Sequence, residues 1–160
     1  MTGTGDGFTA VIFYVVAYTA MNLAAFGAVA ALSREGAGEE LNDLRGMGYS
    51  HTFPAAVLAL AMLALAGIPP TAGFMGKFFI FYAAFRGGEV PLAIVGILTA
   101  AASAFYYLRV VVALYMHPKG APSGQTYIGE TIALSASAAA ILFLGICPAP
   151  LLSLIDHIQR

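Results

Sequence analysis

Charge is scarce in this sequence. Only 9% of its 160 residues are Asp, Glu, Lys or Arg, while 60% are hydrophobic; a soluble domain carries about 25% charged and roughly 45–50% apolar residues. So few charges cannot clothe a surface in water. Seven basic residues against eight acidic ones leave a formal net charge of -1, which gives no electrostatic case for a nucleic-acid partner or an acidic substrate. One cysteine, Cys147, excludes an internal disulfide and a cysteine-based zinc or iron–sulfur site. His51, His117 and His157 are too scattered to hold a metal. No phosphate loop, dinucleotide fingerprint, HExxH or nucleophile elbow is present. The leading Met1–Gly7 is polar and lacks Lys and Arg, so it does not read as the n-region of a signal peptide. What is left is an all-α, polytopic membrane protein.

A helix needs about 20 mostly apolar residues to cross the hydrocarbon core. Four runs qualify: Phe8–Leu32, Pro54–Phe85, Val90–Met116 and Thr131–Ile155. They predict four transmembrane helices in a single membrane domain spanning residues 1–160. Between the first two lies Ser33–Phe53, which collects Arg34, Glu35, Glu39, Glu40, Asp43 and Arg45 with the turn-favouring Gly36, Gly38, Asn42, Gly46 and Gly48. Arg86-Gly87-Gly88-Glu89 reads as a tight turn. The connection from His117 to Glu130 is longer, and Pro118 and Pro122 block continuation of the third helix. Arg34, Arg45, Lys119 and a snorkelling Arg109 share one side, against Arg86 and Arg160 on the other. The positive-inside rule then puts the two longer loops in the cytoplasm and both termini outside.

The second run is too long for one span and contains its own interruption. Its 32 residues would make roughly 48 Å of helix, against about 30 Å of hydrocarbon. The excess falls at Gly67-Ile68-Pro69-Pro70-Thr71-Ala72-Gly73. Pro69 and Pro70 have no N–H, so the carbonyls of Leu65 and Ala66 lose their helical partners, and the residue before each proline avoids the α region. Thr71 is placed to cap a second half-helix. Irregular backbone at membrane depth needs cover from protein or a water-filled cavity, so an inward-facing discontinuous helix is expected. A kink or ordinary loop between two short helices is the plainer alternative, and a re-entrant hairpin would invert everything downstream.

Lys77 stands one turn beyond this break. A charged lysine near the bilayer centre costs about 2.5–3.5 kcal/mol on insertion scales, and none of its neighbours at i±3 or i±4, Gly73, Phe74, Ile80 and Phe81, is acidic. The plainer reading is a lysine snorkelling to an interface; the adjacent break and the apolar Phe78–Phe85 favour a functional amine. Desolvation favours the neutral form, the orphan carbonyls favour the ammonium, and the N-terminal dipole of the second half-helix opposes it. An amine held between such pulls can load and release a proton. No Asp or Glu lies within the four runs, so a carboxylate partner must come from another polypeptide or from a segment upstream. Tyr14, Tyr18 and Asn22 recur at i, i+4, i+8 on the first helix, and Thr99, Ser103 and Tyr106 form a stripe on the third with Tyr107 beside it. These are candidate polar lining, with interhelical packing as the alternative. Cys147 reads as an inert apolar-site thiol.

Several segments carry a family resemblance: Tyr18-Thr19-Ala20-Met21-Asn22-Leu23-Ala24-Ala25-Phe26-Gly27, Leu41-Asn42-Asp43-Leu44-Arg45-Gly46-Met47, Leu65 through Phe78 (LAGIPPTAGFMGKF), and Phe105-Tyr106-Tyr107-Leu108-Arg109-Val110-Val111. Together they resemble the C-terminal part of subunit N of proton-pumping NADH:quinone oxidoreductase (respiratory complex I), in the antiporter-like membrane subunit family. The GIPP…GF…GK core is shared more widely, with Mrp-type cation/proton antiporters and membrane-bound hydrogenases. The resemblance implies a subunit of about fourteen transmembrane helices built as two inverted repeats, of which this chain matches the last four. The chain would then be a C-terminal fragment or a split gene product. Lys77 falls on the proton-channel lysine of the discontinuous helix. The first helix would run from outside to cytoplasm, in agreement with the charge count.

By the same resemblance the chain is part of a translocase of a bacterial inner membrane and is not catalytic in isolation. It binds no cofactor of its own, and quinone and NADH are used elsewhere in the complex. Its partners are the upstream half of the same subunit, other membrane subunits and the lipid bilayer. An antiporter or hydrogenase subunit, and a structural scaffold without transport of its own, are the competing expectations.

Overall fold

The structure is a computed structural model and describes residues 3–34, 40–117 and 127–158, with side chains from residue 7 onward. These residues form seven helices: α1 (Gly3–Arg34), α2 (Met47–Ser50), α3 (Thr52–Ala66), α4 (Ala72–Arg86), α5 (Val90–Tyr115), α6 (Ile128–Ile146) and α7 (Ala149–Ile158). Parts of the expected connections, including Glu35, Gly36, Gly38, Glu39, Pro118, Lys119 and Pro122, lie outside the described residues, as does Arg160.

α1 is unbroken because nothing between Phe8 and Leu32 interrupts it. Its buried seam is Ala10, Phe13, Ala17, Met21, Ala24, Ala28 and Ala31, spaced by steps of three or four and built largely of alanine. Small residues let helix backbones approach where lipid tails give no hydrophobic driving force between helices. α3 occupies the centre. Ala55, Val57, Leu58, Ala59, Ala61, Met62, Ala64 and Leu65 are all buried, so its apolar surface runs around the whole cylinder. It packs against α1, α5 and α6. α5 lies at the periphery, with Leu92, Ile94, Val95, Leu98, Phe105 and Tyr106 exposed along it.

Among the described residues, three helices are long and apolar enough to cross a membrane: Gly7–Arg34, Val90–Tyr115 and Ile128–Ile146. α3 and α4, at 15 residues each, reach roughly 22 Å apiece, short of the hydrocarbon core. The single span expected over 131–155 is corrected to two helices. α6 stops at Ile146 because Pro148 has no N–H to return to Leu144 and pulls Cys147 out of the α region (φ -124°, ψ 73°). α7 restarts at Ala149, and the Leu152 N–H bonds to the Pro148 carbonyl. The Thr9 hydroxyl donates to Asp156 (3.3 Å), tying α7 to the start of α1. At the other end Arg34 of α1 pairs with Glu130 in the first turn of α6.

The break between α3 and α4 is closed by glycine. Gly67 takes φ +87°, a left-handed conformation that L side chains rarely adopt. Its N–H returns to Ala64 and the Ile68 N–H to Leu63, which is the Schellman closure of a helix C-terminus. α4 then restarts hard against α3: a Cβ on Gly73 would lie 1.8 Å from the Ala64 carbonyl oxygen. α6 covers one side of the break with Gly145, where a Cβ would lie 2.2 Å from the Pro70 oxygen. The cover expected for the whole interruption is only partial within this chain. Thr71 is buried, yet Ile68, Pro69 and Pro70 are exposed on its surface.

Replacing Gly73 or Gly145 by alanine forces backbone apart from backbone and is expected to cost about 1–3 kcal/mol, the usual range for overpacking. The thermal midpoint of the full-length subunit in detergent should fall for both, whereas Gly7→Ala, which meets open space, should leave it unchanged.

Candidate functional site

The backbone accounting at the end of α3 defines the site. Leu63 and Ala64 carbonyls are satisfied by the turn itself, which leaves those of Leu65 and Ala66, the two that Pro69 and Pro70 would otherwise have served. Lys77 fills both vacancies. Its Nζ donates to the Leu65 oxygen at 2.7 Å and to the Ala66 oxygen at 3.3 Å. Lys77 therefore does not snorkel; it turns back along α4 toward the break that precedes it. Gly67 makes room for this path, since a Cβ there would stand 3.2 Å from Lys77 Cδ and 3.4 Å from Nζ. An ammonium has three donors, and two are used.

The half-buried Lys77 lies between two spaces. One is a cavity of about 450 Å³ whose polar lining is Tyr14 and Tyr18 of α1, Lys77 of α4, and Thr99, Ser103 and Tyr107 of α5. The other, about 270 Å³, is apolar, with Phe74, Phe78, Phe81 and Ile97 in its wall. Lys77 and Phe81 border both. The Tyr14 and Tyr18 rings stack 5.8 Å apart. Thr99 donates its hydroxyl to the Val95 and Gly96 carbonyls and Ser103 to that of Ala100, so their hydroxyl oxygens keep their acceptor capacity. Among the described residues no carboxylate lines this cavity.

The polar stripes read from sequence are brought together only in part. Tyr14 and Tyr18 reach the lysine cavity. Asn22 does not; its side-chain amide donates to the Tyr18 carbonyl (2.8 Å) and faces a separate groove between α1 and α6. Tyr106 points away and is exposed, while Tyr107 takes the place beside Ser103. The helical period explains the exchange, since steps of four from Thr99 lead to Ser103 and then Tyr107. Thr71 precedes α4 with extended backbone but provides no side-chain cap; its hydroxyl donates back to the Ile68 carbonyl at 2.7 Å. Arg109 is also corrected. Its guanidinium lies over the Phe105 ring one turn back, 6.0 Å from the centroid, instead of reaching toward the helix end. Phe81, which seats against Gly96, is a bordering residue that sequence reasoning noticed only as a neighbour without charge.

This geometry predicts which face of α5 meets water. With Cys147 replaced by Ser, cysteines at Ser103 or Tyr107 should react with a small water-soluble thiol reagent, and cysteine at Tyr106 should not. Equal reaction at 106 and 107 would contradict the placement of the cavity.

Comparison with known proteins agrees with the fold. Residues 1–103 match the family described as NADH:quinone oxidoreductase/Mrp antiporter, TM. The chain is similar to NADH-quinone oxidoreductase subunit N of Geotalea uraniireducens, 66% identical over 100% of this chain and 34% of that protein. It is also similar to the subunit N of Geobacter metallireducens, 59% identical over 98% of this chain and 34% of that one. The chain thus spans about a third of the length of the curated relatives it matches. A solved structure of respiratory complex I from Thermus thermophilus, with bound aureothin, contains a chain of similar fold: TM-score 0.63 at 24% identity, over 92% of this chain and 43% of that one.

Proposed function

The chain belongs to the NADH:quinone oxidoreductase/Mrp antiporter transmembrane family, and from that membership and the carbonyl-held lysine we propose that it forms part of a proton-translocating membrane subunit of an NADH:quinone oxidoreductase. It is an integral membrane protein. In this reading α3 and α4 together make one interrupted crossing, so the chain crosses four times, with the loop end of α1 toward the cytoplasm of a bacterial inner membrane. The remaining length of the subunit and other membrane subunits are its partners, and they complete the cover over Ile68, Pro69 and Pro70. NADH and quinone are used elsewhere in the assembly; this chain carries no cofactor and contributes one half-channel.

The observation that carries the reading is the pair of bonds from Lys77 to Leu65 and Ala66. A proton reaching the amine from the tyrosine-lined cavity makes an ammonium that two helix-end carbonyls receive. When the proton passes to a carboxylate supplied by the rest of the subunit or by a neighbouring one, the neutral amine keeps fewer donors and loses the charge that strengthens both bonds, so it is released toward the hydroxyls of Thr99, Ser103 and Tyr107. Phe81 and the apolar space behind it deny water a path past the lysine. Redox energy from the quinone site needs only to shift the balance between these two positions. The relatives at 66% and 59% identity favour the oxidoreductase over an antiporter or hydrogenase subunit with the same core motif. A purely structural role would leave the nitrogen at a lipid-facing rim, and it sits on the break.

In the full-length subunit within its complex, Lys77→Met should slow proton translocation through this subunit by roughly tenfold or more, the scale on which removing a positioned acid–base group acts, and so lower the protons translocated per NADH oxidised. NADH oxidation by a soluble artificial acceptor should be unaffected, and Lys77→Arg, which keeps the charge but does not deprotonate, should be impaired like methionine. Unchanged coupling in Lys77→Met membranes would refute the proposal.

A further inference from the structure

A third concave surface lies at the loop end of α5, away from Lys77. It is a groove of about 250 Å³ bordered by Leu41 and Arg45 of the loop before α2 and by Phe105, Arg109, Val112 and His117 along α5. The groove is built firmly. The Gly46 N–H bonds to the Ala113 carbonyl at 2.9 Å, the Tyr49 hydroxyl donates to the Tyr115 carbonyl at 2.9 Å, and Leu44 and Met47 are buried beneath. The loop is therefore strapped to the end of α5, which holds Arg45 opposite Arg109.

Charge and depth say what fits there. Two arginines and a histidine converge on one groove, and among the described residues neither arginine has a carboxylate within ion-pair distance; the ion pair found there is Arg34–Glu130, elsewhere. Asp43, on the same loop, accepts the Glu40 N–H instead. Arg109 stands six residues from the end of α5, roughly 9 Å along the axis. The 26-residue helix, roughly 39 Å long, exceeds the hydrocarbon core by about that amount; with that excess at the loop end, the Arg109 backbone lies at the boundary between acyl chains and headgroups, and its guanidinium, over Phe105, lies just beneath it. Below it the groove continues into the exposed apolar face of Phe105, Leu108 and Val112. A cationic mouth at headgroup depth above an apolar helix face suits an amphiphile with a negative head.

We propose that the Arg45–Arg109 groove binds the phosphate of an anionic phospholipid, whose acyl chain lies along Phe105 and Leu108. Basic pockets at the end of a membrane bundle bind acidic headgroups in this way, and the bidentate guanidinium fork matches a phosphate better than a point charge does. The site is independent of Lys77.

The test uses the intact membrane complex, reconstituted in phosphatidylcholine vesicles containing about 20% photoactivatable phosphatidylglycerol, an anionic surface of the kind such pockets read. Irradiation should label the peptides holding Leu41–Arg45 and Phe105–His117. Labelling there should fall roughly fivefold for each of Arg45→Ala and Arg109→Ala, the factor that corresponds to about 1 kcal/mol per cation near such a surface. Arg86→Ala, at the opposite end of the bundle, and Lys77→Met should label as the parent does. Label at these peptides that is indifferent to both arginine variants overturns the proposal, and so does their complete absence of label, which would mean that a protein covers the groove.

Discussion

Two backbone carbonyls without partners organise this molecule. A helix that ends within a packed bundle exposes carbonyl acceptors, and each one left buried and unsatisfied costs about 1–3 kcal/mol. Here α3 ends at Gly67, and a lysine from the following half-helix supplies the missing donors. In the interrupted crossing proposed for α3 and α4, the same bonds give a charged side chain a place to reside at a depth that is otherwise costly. Break and lysine thus stabilise each other. The small residues around them follow from this, since the lysine's path needs Gly67 bare and the restart of α4 needs Gly73 to lie against Ala64.

Around that centre the helices divide the work. α3, buried along most of its surface apart from the Ala56, Leu60 and Leu63 face, is the post on which the others lean. α1 supplies an alanine seam for packing and two tyrosines for the cavity, and α5 contributes hydroxyls on one face and an open apolar surface on the other. The polar cavity and the apolar space meet where Lys77, Phe81 and Ala100 stand.

Much of this was legible in the residue order because it follows from counting. The i to i-4 rule alone names Leu65 and Ala66 as the acceptors orphaned by Pro69 and Pro70, and an uncharged run of 25 residues from Phe8 to Leu32 leaves α1 no alternative but a span. What was not legible depended on rotation and context. Tyr106 and Tyr107 are chemically alike neighbours about 100° apart around the axis, and only the packed phase of α5 selects the second. Pro148 was hidden inside a run that averages as apolar, though its missing N–H ends α6 as surely as Pro69 ends α3. Thr71 had two acceptable uses for one hydroxyl, and the nearer carbonyl of Ile68 took it. Arg109 had two directions open to it, and the aromatic ring one turn back outcompeted the water beyond the helix end.

The contact of Gly145 with Pro70 and Thr71 has a mechanical consequence. Side chains between helices act as cushions that absorb small slips by changing rotamer. At this point there is no cushion: main chain rests on main chain, two residues before α6 itself is interrupted at Cys147 and Pro148. Two helix breaks in different parts of the chain are therefore stacked like adjoining knuckles, so a tilt of the sixth helix would bear on the peptide planes between the prolines and the fourth helix without a compliant layer to soften it.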